Sequence, residues 1–325
     1  MVSIQFISFL FSIAVLSYFA AMFLIDVGIA VFTPITKEGS YKSKMSLILD
    51  ALWAIIGTSA VYLVVTLESV YATITYVAGI ALLLPFLAFL IFLALHHGFL
   101  GYAEGFGFLG IKHLEEKYIL AYSIPTIILA FIGITIFTSV LSGIGINAST
   151  LEPDYVKMFF NPFNIMFFIA IAAYTIYYVT LFFNMKDKLM IAGISLTVAN
   201  ALILAGLYAY VPYVFSKAIT NPGFWIYLVV LYAMLYSLHK GFRFNNVISV
   251  ILTAIGGIIM GMFMYPYVLN GAVNVYSLMT NPATLAAADI VITIIGLFVV
   301  GGLTAIAYKI LYKSKQPQVT TSSHK

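Results

Sequence analysis

The segment IQFISFLFSIAVLSYFAAMFLIDVGIAVFTPITKEGSYKSK, residues 4–44, decides the fold class of this chain. Residues 4–33 are apolar apart from a few polar side chains and Asp26. A helix of that length, at about 1.5 Å per residue, is longer than the roughly 30 Å hydrocarbon core of a membrane. Three lysines follow within a few residues, which is typical of a transmembrane helix whose next loop is cytoplasmic.

Further apolar stretches of similar length follow along the whole chain, which is 63% hydrophobic and only 8% charged. The predicted spans are 4–33, 45–67, 71–96, 118–144, 161–183, 189–215, 221–239, 246–270 and 285–312. Since no loop is long enough for a soluble domain, we predict an all-α, polytopic integral membrane protein with nine transmembrane helices. Residues 1–312 form a single transmembrane domain in this prediction, and 313–325 form a short polar tail.

The distribution of positive charge predicts the orientation. Of the 15 Lys and Arg residues, all but Lys157 and Lys217 fall on one side of the membrane if the chain has nine spans. The positive-inside rule then places the N-terminus outside and the C-terminus in the cytoplasm. The net charge of +4 therefore reports topology and contact with anionic lipids, and we expect no nucleic-acid partner.

The chain contains no cysteine. This excludes disulfides, thiolate metal sites, iron–sulfur clusters and thioether-linked haem in this chain. The sequence predicts no metal site.

Carboxylates inside a bilayer are costly unless they are paired, hydrated or protonated, so each one is a functional candidate. Asp26 lies in the inner half of the first span, and Asp50 lies near the start of the second. Because the loop between these spans is short, we expect the two acids at similar depth near the cytoplasmic side, as candidates for a proton pathway. The alternative is that they bond helix ends or pair with Lys42 or Lys44.

Two other acids lie near the predicted outer ends of their spans. Glu68 ends the second span, and Asp289 lies in the first turn of the ninth. The negative charge of Asp289 in a first turn suits the helix dipole. A structural role is the favoured interpretation for both acids.

Histidines are the candidate haem ligands. A haem between transmembrane helices needs axial ligands at bilayer depth on facing helices. His96 and His97 are predicted at the inner end of the third span and His239 at the inner end of the seventh, where they are candidate haem or quinone contacts. No histidine is predicted at mid-membrane, which disfavours a two-haem membrane cytochrome.

Three Asn-Pro dipeptides mark predicted helix starts, sixty residues apart each time. They are Asn161-Pro162, Asn221-Pro222 and Asn281-Pro282. Asparagine suits the N-cap, and proline suits the first turn, where its missing N–H costs no hydrogen bond. The regular spacing would suit a repeat of helical hairpins, but a good helix start is the favoured interpretation.

A glycosylation sequon, Asn147-Ala148-Ser149, lies in a loop that the predicted topology places outside. Because sequons of three residues are common by chance, glycosylation at Asn147 is permitted by the topology and nothing more.

Several short motifs occur in an order and spacing that resemble those of a known family. Residues 25–30, Ile-Asp-Val-Gly-Ile-Ala, are similar to a Phe-Asp-Met-Gly-Val-Gly run, and Asp50 precedes Tyr71 as the second family Asp does. The further matches are Ile124-Pro125, Asn161-Pro162-Phe163 and residues 262–268, Met-Phe-Met-Tyr-Pro-Tyr-Val. Together they resemble subunit II of cytochrome bd-type quinol oxidases along nearly the whole chain. Two departures are the apolar residues 51–56 and the His96-His97 pair, which stands where the family has Arg-Pro.

The resemblance implies two four-helix groups plus one helix, and a place in the cell membrane. It implies a partner, subunit I, that carries haems b and d and oxidises quinol while oxygen is reduced to water. This chain would hold no redox cofactor and would supply scaffold and proton access, with Asp26 and Asp50 as the proton-entry acids. Small single-helix subunits, membrane lipids and a bound quinone are further candidate partners.

Two other functions fit the same residues. One is a quinone-facing anchor of another respiratory complex, with haem held by His96, His97 or His239. The other is a secondary transporter that uses Asp26, Asp50 and Asp289 for coupling. The predicted position of these acids at helix ends disfavours the transporter, because transport sites usually lie near the midplane.

Overall fold

A computed structural model of the chain describes residues 4–35, 40–71, 79–147, 149–150, 152–278 and 282–313. Seven helices in this part are long and apolar enough to cross a membrane, and two shorter apolar segments, 55–68 and 287–303, lie within two further long helices. This confirms an all-α, multi-pass membrane protein. The count of nine crossings, their orientation and the grouping as two sets of four plus one stay predictions. Asn281 and residues 314–325 of the predicted tail lie outside the described residues.

The described chain is almost entirely helical. In order, the helices are α1 (Ile4–Ile35), α2 (Ser40–Val70), α3 (Leu83–Phe108), α4 (Lys112–Ser142), α5 (Tyr155–Phe159), α6 (Pro162–Phe182), α7 (Leu189–Tyr210), α8 (Pro212–Thr220), α9 (Pro222–His239), α10 (Asn246–Met264) and α11 (Pro282–Lys313). An antiparallel hairpin of β1 (Tyr267–Val268) and β2 (Val273–Asn274) follows α10.

The third predicted span is wrong at its C-terminal end. Helix α3 continues twelve residues beyond 96, to Phe108. The glycine-rich sequence after His97 suggests a loop, but glycine is tolerated in membrane helices because the backbone still satisfies its own hydrogen bonds. His96 and His97 therefore lie well inside α3 and not at its end, which corrects their predicted position.

Prolines shorten two other predicted spans. The sixth, 189–215, breaks at Val211, because Pro212 has no N–H to continue the helix and begins α8 instead. The eighth, 246–270, ends at Met264, since the residue before Pro266 is disfavoured in helical conformation.

Two of the long helices begin at an Asn-Pro dipeptide whose asparagine is the N-cap. The side chain of Asn161 accepts a backbone N–H of the first turn of α6, and Asn221 does the same for α9. In both helices the next residue is the proline of the Asn-Pro dipeptide. Pro282 begins α11.

Contacts near the helix termini show which helix ends lie together at each end of the bundle. At one end, which we call the Lys217 end, the ring of Tyr265 lies 5.0 Å from those of Phe6 and Phe9, and its carbonyl accepts a hydrogen bond from Lys217. At the other, Asn184 exchanges two hydrogen bonds with the backbone of Phe244, at 2.9 and 2.7 Å. This second end, the lysine-rich end, carries Lys186, Lys188, Lys240 and Arg243.

Helix α1 is central to the bundle. It packs against α2, α4, α6, α10 and α11. Near the Lys217 end, Phe9 and Ile13 join a buried apolar cluster formed mainly by α6 to α10. Further along, from Ala21 to Phe32, α1 joins a second cluster with α2, α3 and α4. One helix therefore contributes to both cores.

The approach of α1 to α6 is closest at Gly28. A Cβ at this position would lie 2.2 Å from Cγ2 of Val179 and 3.3 Å from the carbonyl oxygen of Thr175. Valine is stiff about χ1 and the carbonyl belongs to a helix, so neither atom can move away cheaply. Only glycine fits here without separating the two helices.

We expect Gly28→Ala to destabilise the protein by about 1–3 kcal/mol, because the added methyl group overpacks the contact between α1 and α6. Thermal unfolding in mild detergent measures this as a lower midpoint. The matched control is Gly98→Ala in α3, where a Cβ meets nothing within 4 Å. Equal midpoints for the two variants would contradict the proposed packing.

Candidate functional site

A buried hydrogen bond between side chains joins α1 to α3. Oδ2 of Asp26 lies 2.8 Å from Nε2 of His96, and both side chains are 0% exposed. An uncompensated carboxylate in such surroundings costs several kcal/mol, so this contact is what allows Asp26 to be buried. The partner that the structure shows is thus His96, and not Lys42 or Lys44, whose side chains lie outside the described part.

A tyrosine of α4 lies beside the Asp26–His96 pair. The ring of Tyr122 packs edge-on against His96, with centroids 5.6 Å apart. Oδ1 of Asp26 and the hydroxyl of Tyr122 are both buried and have no hydrogen-bond partner within the part of the chain that the structure describes. Buried polar atoms normally bond to protein, water or a ligand. Oδ1 of Asp26 and the Tyr122 hydroxyl therefore form a second polar surface, in addition to the bond between Asp26 and His96.

His97 extends the arrangement towards α2. Its Nδ1 lies 2.9 Å from the carbonyl oxygen of Leu93 and 3.4 Å from Nδ1 of His96. Its Nε2 faces Gly57 of α2, where a Cβ would be 3.1 Å away. Neutral imidazole has one donor and one acceptor nitrogen, so His96 can donate from Nε2 to Asp26 and keep Nδ1 as an acceptor.

Asp50 lies in α2, seven residues before Gly57. Seven residues are about two helical turns, so the backbone of Asp50 lies on the face of α2 that Gly57 presents to His97. Its side chain is outside the described part. The two predicted proton-entry acids thus lie on packed helices, and only the surroundings of Asp26 are defined.

The three candidate haem ligands have the following surroundings. Nε2 of His96 is bonded to Asp26, and Nδ1 of His97 is bonded to a backbone carbonyl. His239 is the last residue of α9 and is exposed. Among the described residues no group of three or more His, Asp or Glu side chains is placed to hold a metal ion.

Asp289 lies at the opposite end of α1 from Asp26. It contacts Ser8 and Ser12, and Ser12 precedes Asp26 by fourteen residues, or about 20 Å along the helix. The two buried acids therefore do not share a site.

The pairing of Asp26 with His96 was not visible in the sequence pattern. The two residues are 70 positions apart, and ending the third span at 96 places His96 at the membrane rim, where water would satisfy it. A useful signal was present nonetheless. The His96-His97 pair replaces Arg-Pro at this point of the resemblance, and a histidine near the depth of a buried acid is a natural partner for it.

We expect His96→Leu to destabilise the protein by about 3–5 kcal/mol, because it leaves the Asp26 carboxylate buried without a partner. Combining it with Asp26→Asn should recover much of this loss, which a double-mutant cycle on thermal or denaturant unfolding measures. The variant His239→Leu, at an exposed position, is the control. If His96→Leu were no more harmful than His239→Leu, the pair would not have the importance assigned to it.

Comparisons with known proteins agree with this architecture. No protein-family model matches the chain, and no curated protein matches it. A solved structure, that of bd oxidase from Geobacillus thermodenitrificans, contains a chain that is similar over 97% of this chain and 100% of its own, with a TM-score of 0.71 and 18% identity. The resemblance predicted from the motifs is thus confirmed as a distant one at the level of the fold. The chain has the fold of a membrane chain of bd oxidase.

Proposed function

We propose that this chain is subunit II of a cytochrome bd-like terminal quinol oxidase in the plasma membrane. The observation that carries the proposal is the likeness to a chain of bd oxidase over the full length of both chains. It is supported by the Asp26–His96 pair, because a subunit that guides protons needs an ionisable group held inside the membrane.

The proposal divides the work between two subunits. The haem-bearing partner, subunit I, would hold haems b and d, bind quinol and pass its electrons to oxygen. In the described part of this chain Nε2 of His96 is bonded to Asp26, Nε2 of His97 faces Gly57 of α2, and His239 is exposed. This chain would therefore be the non-haem subunit, with lipid, quinone and small single-helix subunits as further contacts.

Protons are what this subunit would supply. Reducing oxygen to water consumes one proton for each electron, and the site of reduction is enclosed in the membrane. In the proposed path, a proton enters near the lysine-rich end, passes Asp50 on α2 and reaches Asp26. His96 and Asp26 can hold the proton between Nε2 and Oδ2, which are 2.8 Å apart. Oδ1 and the Tyr122 hydroxyl supply the polar surface from which it moves on.

The described geometry favours neither alternative. A haem-binding anchor needs ligating histidines on facing helices. His96 and His97 are neighbours on one helix, and Nε2 of His97 faces Gly57 of α2, 3.1 Å from where a Cβ would be. A transporter that couples through Asp26, Asp50 and Asp289 needs these acids near one substrate or ion at the midplane. Asp26 lies on α1 about 20 Å from Ser12, which contacts Asp289.

We expect Asp26→Asn to lower quinol-dependent oxygen consumption of the intact complex by about tenfold or more, because the amide cannot accept the proton. Haem content should be unchanged, since the substitution keeps the shape of the side chain. Asp50→Asn should act in the same direction. Asp187→Asn, at a surface acid of the lysine-rich end, is the control. Normal turnover of the Asp26 variant at saturating quinol would refute the proton role.

A further inference from the structure

Two neighbouring loops at the lysine-rich end carry positive charge that their own acids do not balance. The loop between α6 and α7 holds Lys186 and Lys188, and the loop between α9 and α10 holds Lys240 and Arg243. Asp187 is the one acid in these two loops, both of which the structure describes completely, and its carboxylate lies 3.3 Å from Nζ of Lys188. The two loops together are therefore positively charged.

The fold holds the two loops side by side. The side chain of Asn184 donates a hydrogen bond to the carbonyl oxygen of Phe244 and accepts one from its N–H, at 2.9 and 2.7 Å. Lys186 of the first loop then reaches the second, because a Cβ on Gly241 would lie 3.5 Å from its Nζ. Since Gly241 directly follows Lys240, packing brings a lysine of one loop to the basic segment of the other.

Like charges that are held close together repel one another. Lys186, Lys240 and Arg243 are exposed, and among the described residues none of them forms an ion pair. We call these three residues the basic patch. An anion bound at the basic patch replaces repulsion by attraction, so the patch is complementary in charge to an anion.

Aromatic side chains place the basic patch at the membrane surface. Phe242, directly before Arg243, is 68% exposed. Tyr236 is 62% exposed, and Nζ of Lys240 lies 5.4 Å from the centre of its ring. Exposed aromatic side chains beside Lys or Arg at the end of a membrane helix are typical of the headgroup region of a bilayer. The anions concentrated at this depth are lipid phosphates.

An apolar surface continues from the basic patch along α7 and α9. The hydroxyls of Thr197 and Tyr232 lie 2.9 Å apart, so the two helices are neighbours. Exposed apolar side chains follow both helices away from the lysine-rich end, among them Met190 and Ile194 of α7 and Val229 of α9. Such side chains are as apolar as lipid tails and make contact with them.

We propose that Lys186, Lys240 and Arg243 form a binding site for the phosphate group of an anionic phospholipid. Ammonium and guanidinium donors form charge-assisted hydrogen bonds with phosphate oxygens. The acyl chains lie along the exposed face of α7 and α9, a contact that free phosphate lacks. The lipid joins the α6–α7 and α9–α10 connections, and this role is independent of the proposed oxidase function.

The test uses the purified full-length protein, with any subunits that accompany it, in nanodiscs of zwitterionic phosphatidylcholine. A small fraction of the lipid is a photoactivatable phosphatidylglycerol, and peptide mass spectrometry locates its cross-links after illumination. We expect cross-links in residues 183–194 and 232–244. Unlabelled phosphatidylglycerol should compete with them, whereas added phosphatidylcholine and inorganic phosphate should not.

Variants test the three cations. We expect Lys186→Gln to weaken the competition by phosphatidylglycerol about fivefold, and neutralising all three residues to abolish the cross-links. Lys186→Arg keeps the charge and should keep the binding. Lys157→Gln, at an exposed lysine of another loop, is the control and should behave as the wild type.

Four results would overturn the proposal. They are a triple variant that cross-links like the wild type, equal competition by the two lipids, displacement by inorganic phosphate, and no cross-links in these segments because another subunit covers them. The competition between lipids needs no variant, so it decides the matter even if the triple variant does not assemble. Because the readout is lipid binding, it does not depend on oxidase turnover.

Discussion

A carboxylate buried in a lipid bilayer needs a compensating group. In the second core of this chain, His96 provides that group for Asp26. The pair connects the central helix α1 to α3, while Tyr122 of α4 packs on the imidazole. Removing His96 leaves the Asp26 carboxylate without a partner in apolar surroundings, at about 3–5 kcal/mol. That is a large fraction of the roughly 5–15 kcal/mol that stabilises a typical domain. The arrangement of α1, α3 and α4 therefore depends on this contact.

Helix α1 connects the pair to a second buried acid. The helix carries one buried acid of its own and contacts another, Asp289, about 20 Å away. Between them its buried side chains are mainly apolar, from Ile13 to Ile25. This mainly apolar stretch of α1 separates the two buried acids.

Most of the fold follows from hydropathy and from local helix signals. The apolar runs predict the long helices, and the Asn-Pro dipeptides place the starts of α6 and α9 to within a residue, because an N-cap and a first-turn proline act locally. The errors also have local causes. The glycine-rich residues after His97 belong to α3, although the predicted span ended before them. Pro212 divides a span that hydropathy alone treats as continuous.

The sites were predicted less completely, because their partners are distant in the sequence. Asp26 was identified as a candidate, but its partner is 70 residues away and on a helix whose end was misplaced. Asp289 was interpreted as a helix-dipole residue, whereas the bond from Ser8 spans 281 residues and depends on the packing of α1 against α11. Local periodicity contains no information about such contacts. Either cluster can therefore be recognised only in the folded structure.

The most direct test of the central claim is to purify the native complex in mild detergent through this chain and record its reduced-minus-oxidised absorption spectrum. The account predicts a co-purifying haem-bearing subunit, with b-type bands and the long-wavelength band of haem d, and quinol-dependent oxygen uptake by the same preparation. A colourless preparation that contains this chain alone, and consumes no oxygen with quinol, would contradict the assignment to a bd-like oxidase.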